Sequence, residues 1–122
     1  MPRYLALIYS PAEMEGADVS EEEWNEVFEE YTAFDKEAQA AGVVKSGAAL
    51  HDSNTATTVE VKGGKNGEVV FTDGPFAETK EVLGGFYMLE CDDLDEALKW
   101  AQKIPGAWHG KVEVRPVMEF DT

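Results

Sequence analysis

Apolar residues recur three or four positions apart along residues 20–41, which is the period of an amphipathic helix. Ser20 lies three residues before Glu23, the capping-box pattern of a helix start, and Gly42 is suited to end the helix. Most glutamates of the segment fall off the apolar side. The pattern predicts a long first helix, in which Trp24, Phe28 and Phe34 are expected in the core or at an interface. The apolar face consists of Trp24, Val27, Phe28, Tyr31, Phe34, Ala38 and Ala41.

A second apolar stripe, along residues 94–104, predicts a shorter second helix. Asp92 and Asp93 both suit its N-cap position, and Glu96 favours Asp93 because it follows that residue by three. The Pro-Gly pair at residues 105–106 is expected to end this helix.

Short apolar or alternating runs predict six strands. Residues 3–9 are almost wholly apolar, as in a strand that is buried on both faces. A glycine-rich turn at residues 63–67 joins two runs into a β-hairpin. The last run alternates apolar and charged side chains, and its Pro116 favours an edge position. The predicted strands are residues 3–9, 43–50, 55–61, 68–72, 84–90 and 111–118.

The order of these elements is β–α–β–hairpin–loop–β–α–β. Without the hairpin it is the split βαβ pattern of an α+β, ferredoxin-like fold, in which two helices cover one face of an antiparallel sheet. The other face also carries apolar residues, and a monomer rarely leaves so large an apolar surface in water. The sequence therefore predicts a homodimer formed through the sheet faces, with an interface near or above ~1,600 Å².

Length and charge narrow the function classes. The 122 residues predict a single domain over residues 1–122 with a core of its own. The net charge of −15 repels phosphate backbones and anionic lipids, so we expect binding to neither nucleic acid nor membrane. Alternatively, the excess of acidic residues serves only to keep the protein soluble.

The chain offers little material for a metal or cofactor. One cysteine excludes an internal disulfide, and two histidines are too few for a His/Cys metal cluster. A carboxylate-rich metal site stays an alternative, although no recognisable spacing marks it. No phosphate-binding glycine loop and no serine nucleophile elbow is present. No cofactor is predicted. The apolar run at residues 4–9 is too short for a signal sequence or a membrane span, which makes the cytoplasm the expected location.

The loop at residues 73–83 is the main candidate for a functional site, because a hairpin connection needs only ~2–5 residues. Asp73, Glu78 and Lys80 are candidate catalytic residues, and Glu81 is a candidate ligand-binding residue. A lysine between two carboxylates keeps its proton, which suits carboxylate binding better than nucleophilic attack. The alternatives are a plain turn at Asp73 and a solvated ion-pair cluster worth ~0–1 kcal/mol per pair.

Three further residues are candidate ligand contacts. Phe76 is the only aromatic residue of the loop and is expected to anchor it in the core, at ~3–5 kcal/mol on replacement by alanine. Arg115 is either a carboxylate clamp or the partner of Glu113 in a surface ion pair. His51 is a candidate base beside an acid or simply an exposed loop residue. The pocket hypothesis brings Asp73, Glu78, Lys80 and Arg115 together around one small polar molecule.

The loop motif Asp-Gly-Pro-Phe-Ala-Glu-Thr-Lys-Glu at residues 73–81, followed by a Gly-Gly-aromatic strand, resembles the DGPF group of YCII-related proteins. The resemblance extends over most of the chain and implies a ferredoxin-like fold that pairs into a dimeric α/β barrel. Smaller relatives carry a suspected catalytic His and Asp, whereas this chain has Glu30-Tyr31 and residues 103–105 in those places.

The resemblance also implies an association with extracytoplasmic-function sigma factors. Two functions therefore stay open at this stage. One is an enzyme or binder that uses the barrel cavity for a small molecule, and the other is a regulatory module that acts on a sigma factor without catalysis.

Overall fold

The computed structural model describes residues 1–15, 19–77 and 79–120. Within them, four strands form an antiparallel sheet in the order β2–β5–β1–β6, and two more form a separate hairpin, β3–β4. This is an α+β arrangement with the strand order of a split βαβ unit, consistent with the predicted ferredoxin-like fold and its inserted hairpin. The elements are β1 Arg3–Pro11, α1 Glu21–Ala40, β2 Val44–Ala49, β3 Thr57–Lys62, β4 Glu68–Asp73, β5 Glu81–Glu90, α2 Leu94–Ala101, α3 Gly106–His109 and β6 Lys111–Pro116.

The caps of both long helices follow from local sequence. The Ser20 hydroxyl accepts a hydrogen bond from the Glu23 N–H at 3.1 Å, and the Asp93 carboxylate accepts one from the Glu96 N–H at 2.9 Å. Gly42 takes a left-handed φ of 73°, the conformation that ends a helix at low cost when no Cβ is present. These observations confirm the predicted helix starts and the end of α1.

The helices cover one face of the four-stranded sheet. Tyr4 pairs with Leu89 and Ala6 with Tyr87, and these residues pack with Phe34 in the buried core. The rest of that core comes from the helices and their flanks, and a partly buried rim includes Val112 and Val114 of β6.

The opposite face of the sheet is left open by the helices, as predicted. Side chains alternate along a strand, so Leu5 and Leu7 point away from the core together with their partners Met88 and Phe86. None of these four is fully buried. An apolar sheet face is therefore available to a partner.

The β3–β4 hairpin stands apart from the main sheet. Val59 pairs with Phe71 and Val61 with Val69, so these four side chains share one face, and all four are exposed. A lone two-stranded hairpin is marginally stable in water. A hydrogen bond from the Gly74 N–H to the Ala56 carbonyl at 2.7 Å joins its two legs at the base, one residue beyond the last strand pair.

Three boundaries differ from the prediction. β5 begins at Glu81 rather than near residue 84, because pairing with the end of β1 through Pro11 and Ser10 extends it. The connection after β4 is therefore residues 74–80, which is shorter than expected. The second helix ends at Ala101, and a short helix, α3, follows the Pro-Gly pair, which sequence reasoning did not predict.

Candidate functional site

The candidate loop leads to the end of the sheet where β1 stops and β5 and β6 begin. Pro11 pairs with Glu81, and Tyr9 pairs with Lys111. The Ala12 N–H donates to the Lys80 carbonyl at 2.7 Å, which fixes the end of the loop against the turn after β1. Strand pairing thus places two lysines and Glu81 at one corner of the molecule.

An open groove of about 560 Å³ lies at this corner. An ion pair there links the Lys111 Nζ to the Glu81 Oε1 at 2.5 Å. A Cβ at position 110 would collide with the Tyr9 carbonyl oxygen, so glycine lets this turn approach β1 closely. We call this surface the end groove; its lining residues are Pro11, Ala12, Glu13, Lys80, Glu81, Gly110 and Lys111.

Asp73 lies at the base of the hairpin with an exposed side chain. Gly74 follows it with φ +94°, and the Thr58 hydroxyl donates to the Gly74 carbonyl at 2.8 Å. This geometry matches the turn reading of the Asp-Gly-Pro sequence, because glycine tolerates the left-handed backbone that the turn needs. Glu78 lies outside the described residues.

The prediction that Phe76 anchors the loop in the core is wrong for the folded chain, since its side chain is 90% exposed. Backbone hydrogen bonds fix the two ends of the loop instead, at Gly74 and at Lys80. The turn that begins at Gly74 carries Phe76 outward. Any extensive apolar contact of the Phe76 ring is therefore with another molecule.

His51 lies at the same end of the sheet, just after β2, and its side chain is exposed. The neighbouring Leu50 N–H donates to the Gly84 carbonyl at 2.8 Å. The Glu15 carboxylate accepts from the Ser53 N–H at 2.6 Å, which joins the turn after β1 to the segment after His51. This position agrees with the interpretation of His51 as an exposed loop residue.

Arg115 lies at the other end of β6. It pairs in register with Leu5, whereas Lys111 pairs with Tyr9, so four residues or ~13 Å of strand separate it from the end groove. Its guanidinium forms an ion pair with Glu113 on the open sheet face. Within one chain, therefore, Arg115 is set apart from Lys80.

Sequence reasoning missed Lys111. It is the first residue of β6 and shares a strand face with Glu113 and Arg115, so alternation alone would have placed it on the open side of the sheet. The sequence does not reveal how β6 pairs with β1 and how β1 pairs with β5. This register brings the Lys111 ammonium group to Glu81.

A polar contact between α1 and the sheet was also missed. The Tyr87 hydroxyl donates to the Asp35 Oδ1 at 2.7 Å. Burial, followed by this hydrogen bond and the negative charge of Asp35, raises the pKa of Tyr87. Burial likewise raises the pKa of Tyr31, and a hydrogen bond with the Gly106 backbone opposes that rise. The contact lies inside the packed body and links helix to sheet.

The described residues contain no group of three or more His, Cys, Asp or Glu side chains that could hold a metal ion. Cys91 is buried, and burial raises the pKa of its thiol to about 11, with Glu96 adding to the rise. Over the same part of the chain, no helix has both the length and the apolarity that crossing a membrane requires.

Comparison with known proteins supplies a family. The model of the YCII-related domain matches residues 3–121. An uncharacterized protein of Rhizobium meliloti (strain 1021) is 37% identical over 116 residues, which cover 93% of this chain and 90% of that protein. With a match over nearly its whole length and the strand order of a split βαβ unit, the chain belongs to the YCII-related family.

Proposed function

We propose that this protein is a cytoplasmic homodimer of the DGPF group that binds or transforms a small polar molecule at the end groove. The observation that carries the proposal is the meeting of Lys80, Glu81 and Lys111 at the point where the motif loop enters the sheet. Two ammonium groups beside a carboxylate suit a ligand that has a carboxylate or phosphate group and a hydrogen-bond donor.

The charge of the whole molecule strengthens this assignment. With 25 acidic and 10 basic residues, most of the surface repels an anion. The end groove has two lysines beside Glu13 and Glu81, so it is less acidic than the surface as a whole, and Glu81 holds the Lys111 ammonium in place there. In a reaction, Lys80 is the candidate group to stabilise developing negative charge, and Asp73, at the other end of the same connection, is the candidate acid or base.

The second copy in this proposal covers the open sheet face. Leu5, Leu7, Phe86 and Met88 form an apolar centre there, and the Glu113–Arg115 ion pair lies at its edge. Packing two such faces together produces a dimeric α/β barrel. Arg115 of each copy would then line the interface, which restores the role in ligand binding that one chain alone does not give it.

Ligand binding is tested by calorimetry and thermal shift with inorganic phosphate and a panel of small mono- and dicarboxylates. Lys80→Met and Lys111→Met should each weaken the best ligand about tenfold or more, since each removes a charge-assisted contact of ~1.5–3 kcal/mol. Lys36→Met, on the exposed side of α1, is the matched control and should bind as the parent does. Equal binding by all three variants would rule out the end groove.

The dimer is tested by sedimentation. The parent should sediment as a dimer at micromolar concentration, and Leu7→Asp should release monomers because it buries a charge in the sheet interface. Ala33→Asp, at an exposed position of α1, serves as the control and should remain dimeric. A stable monomeric parent would contradict the dimer.

A second candidate function is a regulatory module that binds an extracytoplasmic-function sigma factor. The observation in its favour is Phe76, a 90% exposed aromatic side chain on the motif loop. Exposed aromatic residues of this kind are typical anchors of protein interfaces. Binding of purified sigma factors that is abolished by Phe76→Ser, while Lys80→Met has no effect, would favour this function over the first.

A further inference from the structure

The β3–β4 hairpin has an apolar face that the rest of its own chain leaves exposed. Val59 and Phe71 are 58% and 69% exposed, and they form a cross-strand pair next to Val61 and Val69. We call these four residues the hairpin face. A two-stranded unit with an uncovered apolar face gains little stability by itself, so it needs a partner surface.

The first half of α1 carries a matching apolar surface. Trp24 and Phe28 are 62% and 71% exposed, although they continue the apolar side of the helix that buries Phe34 and Ala38 further along. Residues four apart lie one above the other on a helix, so the two rings form a single patch, here called the aromatic pair.

Charge distinguishes these two surfaces and makes them complementary. Residues 21–30 of α1 contain six glutamates and neither lysine nor arginine. Lys65 lies in the turn of the hairpin, whereas Lys62 pairs in register with Glu68 on the side opposite the hairpin face. In a protein with a net charge of −15, this turn is a local site of positive charge and it points along the hairpin away from the body.

We propose that the hairpin is an arm whose face packs on the aromatic pair of a second copy of the chain, with Lys65 of its turn directed at the glutamates of that copy's α1. The inference rests on the proposed homodimer and adds a second contact to it. Two copies that are both strongly acidic repel each other, and an acid-to-base contact of this kind offsets part of that repulsion.

The area that a stable interface requires supports this exchange. A standard interface buries ~800 Å² on each partner, whereas a patch of a few apolar side chains offers only a few hundred. Each copy would contribute its hairpin face to one contact and its aromatic pair to the symmetric one. In a two-fold dimer, both contacts form twice and add to the open sheet face.

Cross-linking between differently labelled copies tests the arm. Chains with Val61→Cys and chains with Phe28→Cys are unfolded and refolded together, then treated with a short bismaleimide. We expect a cross-linked heterodimer, and at least tenfold less of it when Glu22→Cys replaces Phe28→Cys. Glu22 lies two residues from Trp24 and so on the far side of the helix. The parent, whose Cys91 is buried, serves as the blank.

Charge reversal supplies an independent measurement. Lys65→Glu should weaken dimerisation at low salt severalfold or more, and Glu21→Lys in the same chain should restore it, because Glu21 lies three residues from Trp24 and so on the side of α1 that carries the aromatic pair. Lys65 and Glu21 are both exposed, so these changes leave the core intact.

The outcomes separate the arm from the homodimer and from the groove. A dimer by sedimentation whose cross-linking yield equals that of the Glu22→Cys control overturns the arm and leaves the sheet-face dimer in place. A monomer at all concentrations overturns both. Ligand binding at the end groove that persists in the charge-reversed variant keeps the proposed function, whatever happens to the arm. A heterologous protein that covers the hairpin face in place of the second copy also overturns the proposal.

Discussion

The four-stranded sheet and the hairpin both carry apolar side chains that share a strand face, and these side chains end in opposite environments. In the sheet, Ala6 and Leu89 are fully buried beneath the helices. In the hairpin, Val59 and Phe71 form a cross-strand pair on one face, yet both are largely exposed. Alternation therefore identifies which side chains share a face, and it does not say whether anything covers that face.

The difference has a physical cause. Each strand of the main sheet is paired, and α1 and α2 pack on one side, so apolar area is removed from water within a single chain. The two strands of the hairpin pair only with each other, and the Gly74–Ala56 hydrogen bond closes their base. The apolar face of the hairpin is therefore not removed from water within the chain.

The largest effect is expected in the packed sheet. Leu89→Ala should lower the free energy of unfolding by ~2–5 kcal/mol, because it removes a fully buried side chain and leaves a cavity. The matched change in the hairpin, Val69→Ala, should cost under ~0.5 kcal/mol at concentrations where the protein is monomeric. Chemical denaturation across a range of protein concentrations measures both. Equal losses for the two variants at low concentration would show that the hairpin is packed like the sheet.

An intermediate effect is expected where the body uses a polar contact. Tyr87→Phe removes the hydroxyl that donates to Asp35 at 2.7 Å and should cost ~1–2 kcal/mol. Tyr9→Phe is the control, since the Tyr9 hydroxyl has no hydrogen-bond partner among the described residues and its removal should cost much less. Urea denaturation at neutral pH measures both variants. If the two variants were equally stable, the contact would contribute nothing.

The same tyrosine gives a pH dependence with a defined sign. Burial, together with Asp35, raises the pKa of Tyr87 above its ordinary value near 10. The neutral phenol is thus favoured in the folded state, and the stability it contributes is fully present below about pH 10 and is lost as the pH rises further. The parent should lose stability in alkali more steeply than Tyr87→Phe does.

The parts of the fold that sequence predicted are those that local chemistry decides. Ser20 and Asp93 cap their helices through contacts three residues away, and Gly42 ends α1 by its own backbone conformation. The start of β5 and the short helix α3 depend on distant partners instead. Glu81 looked like a loop residue because its charge follows no period, and only pairing with Pro11 makes it part of a strand.

The residues of the candidate site also differ in whether local sequence or a distant contact reveals them. The motif loop and Glu81 were found from spacing and charge, whereas Lys111 was not, because its contact with Glu81 spans thirty residues and depends on strand register. Phe76 was misjudged for a different reason. Aromatic residues are most often buried, yet an apolar side chain on a turn is directed by the backbone at Gly74, and no periodic pattern reveals that direction.

The smallest effect on the free energy of unfolding is expected at Phe76. Phe76→Ala should change the free energy of unfolding by less than ~0.5 kcal/mol in the monomer, because the ring is 90% exposed and its loop is fixed by backbone bonds at both ends. Phe34→Ala, which removes a buried ring that α1 contributes to the core, is the matched control and should cost ~3–5 kcal/mol. Denaturation at low protein concentration gives both values, and sedimentation then shows whether Phe76 contributes to association. A loss at Phe76 that approaches the loss at Phe34 in the monomer would mean that the loop folds inward in solution, and that the motif residues enclose a pocket within a single chain.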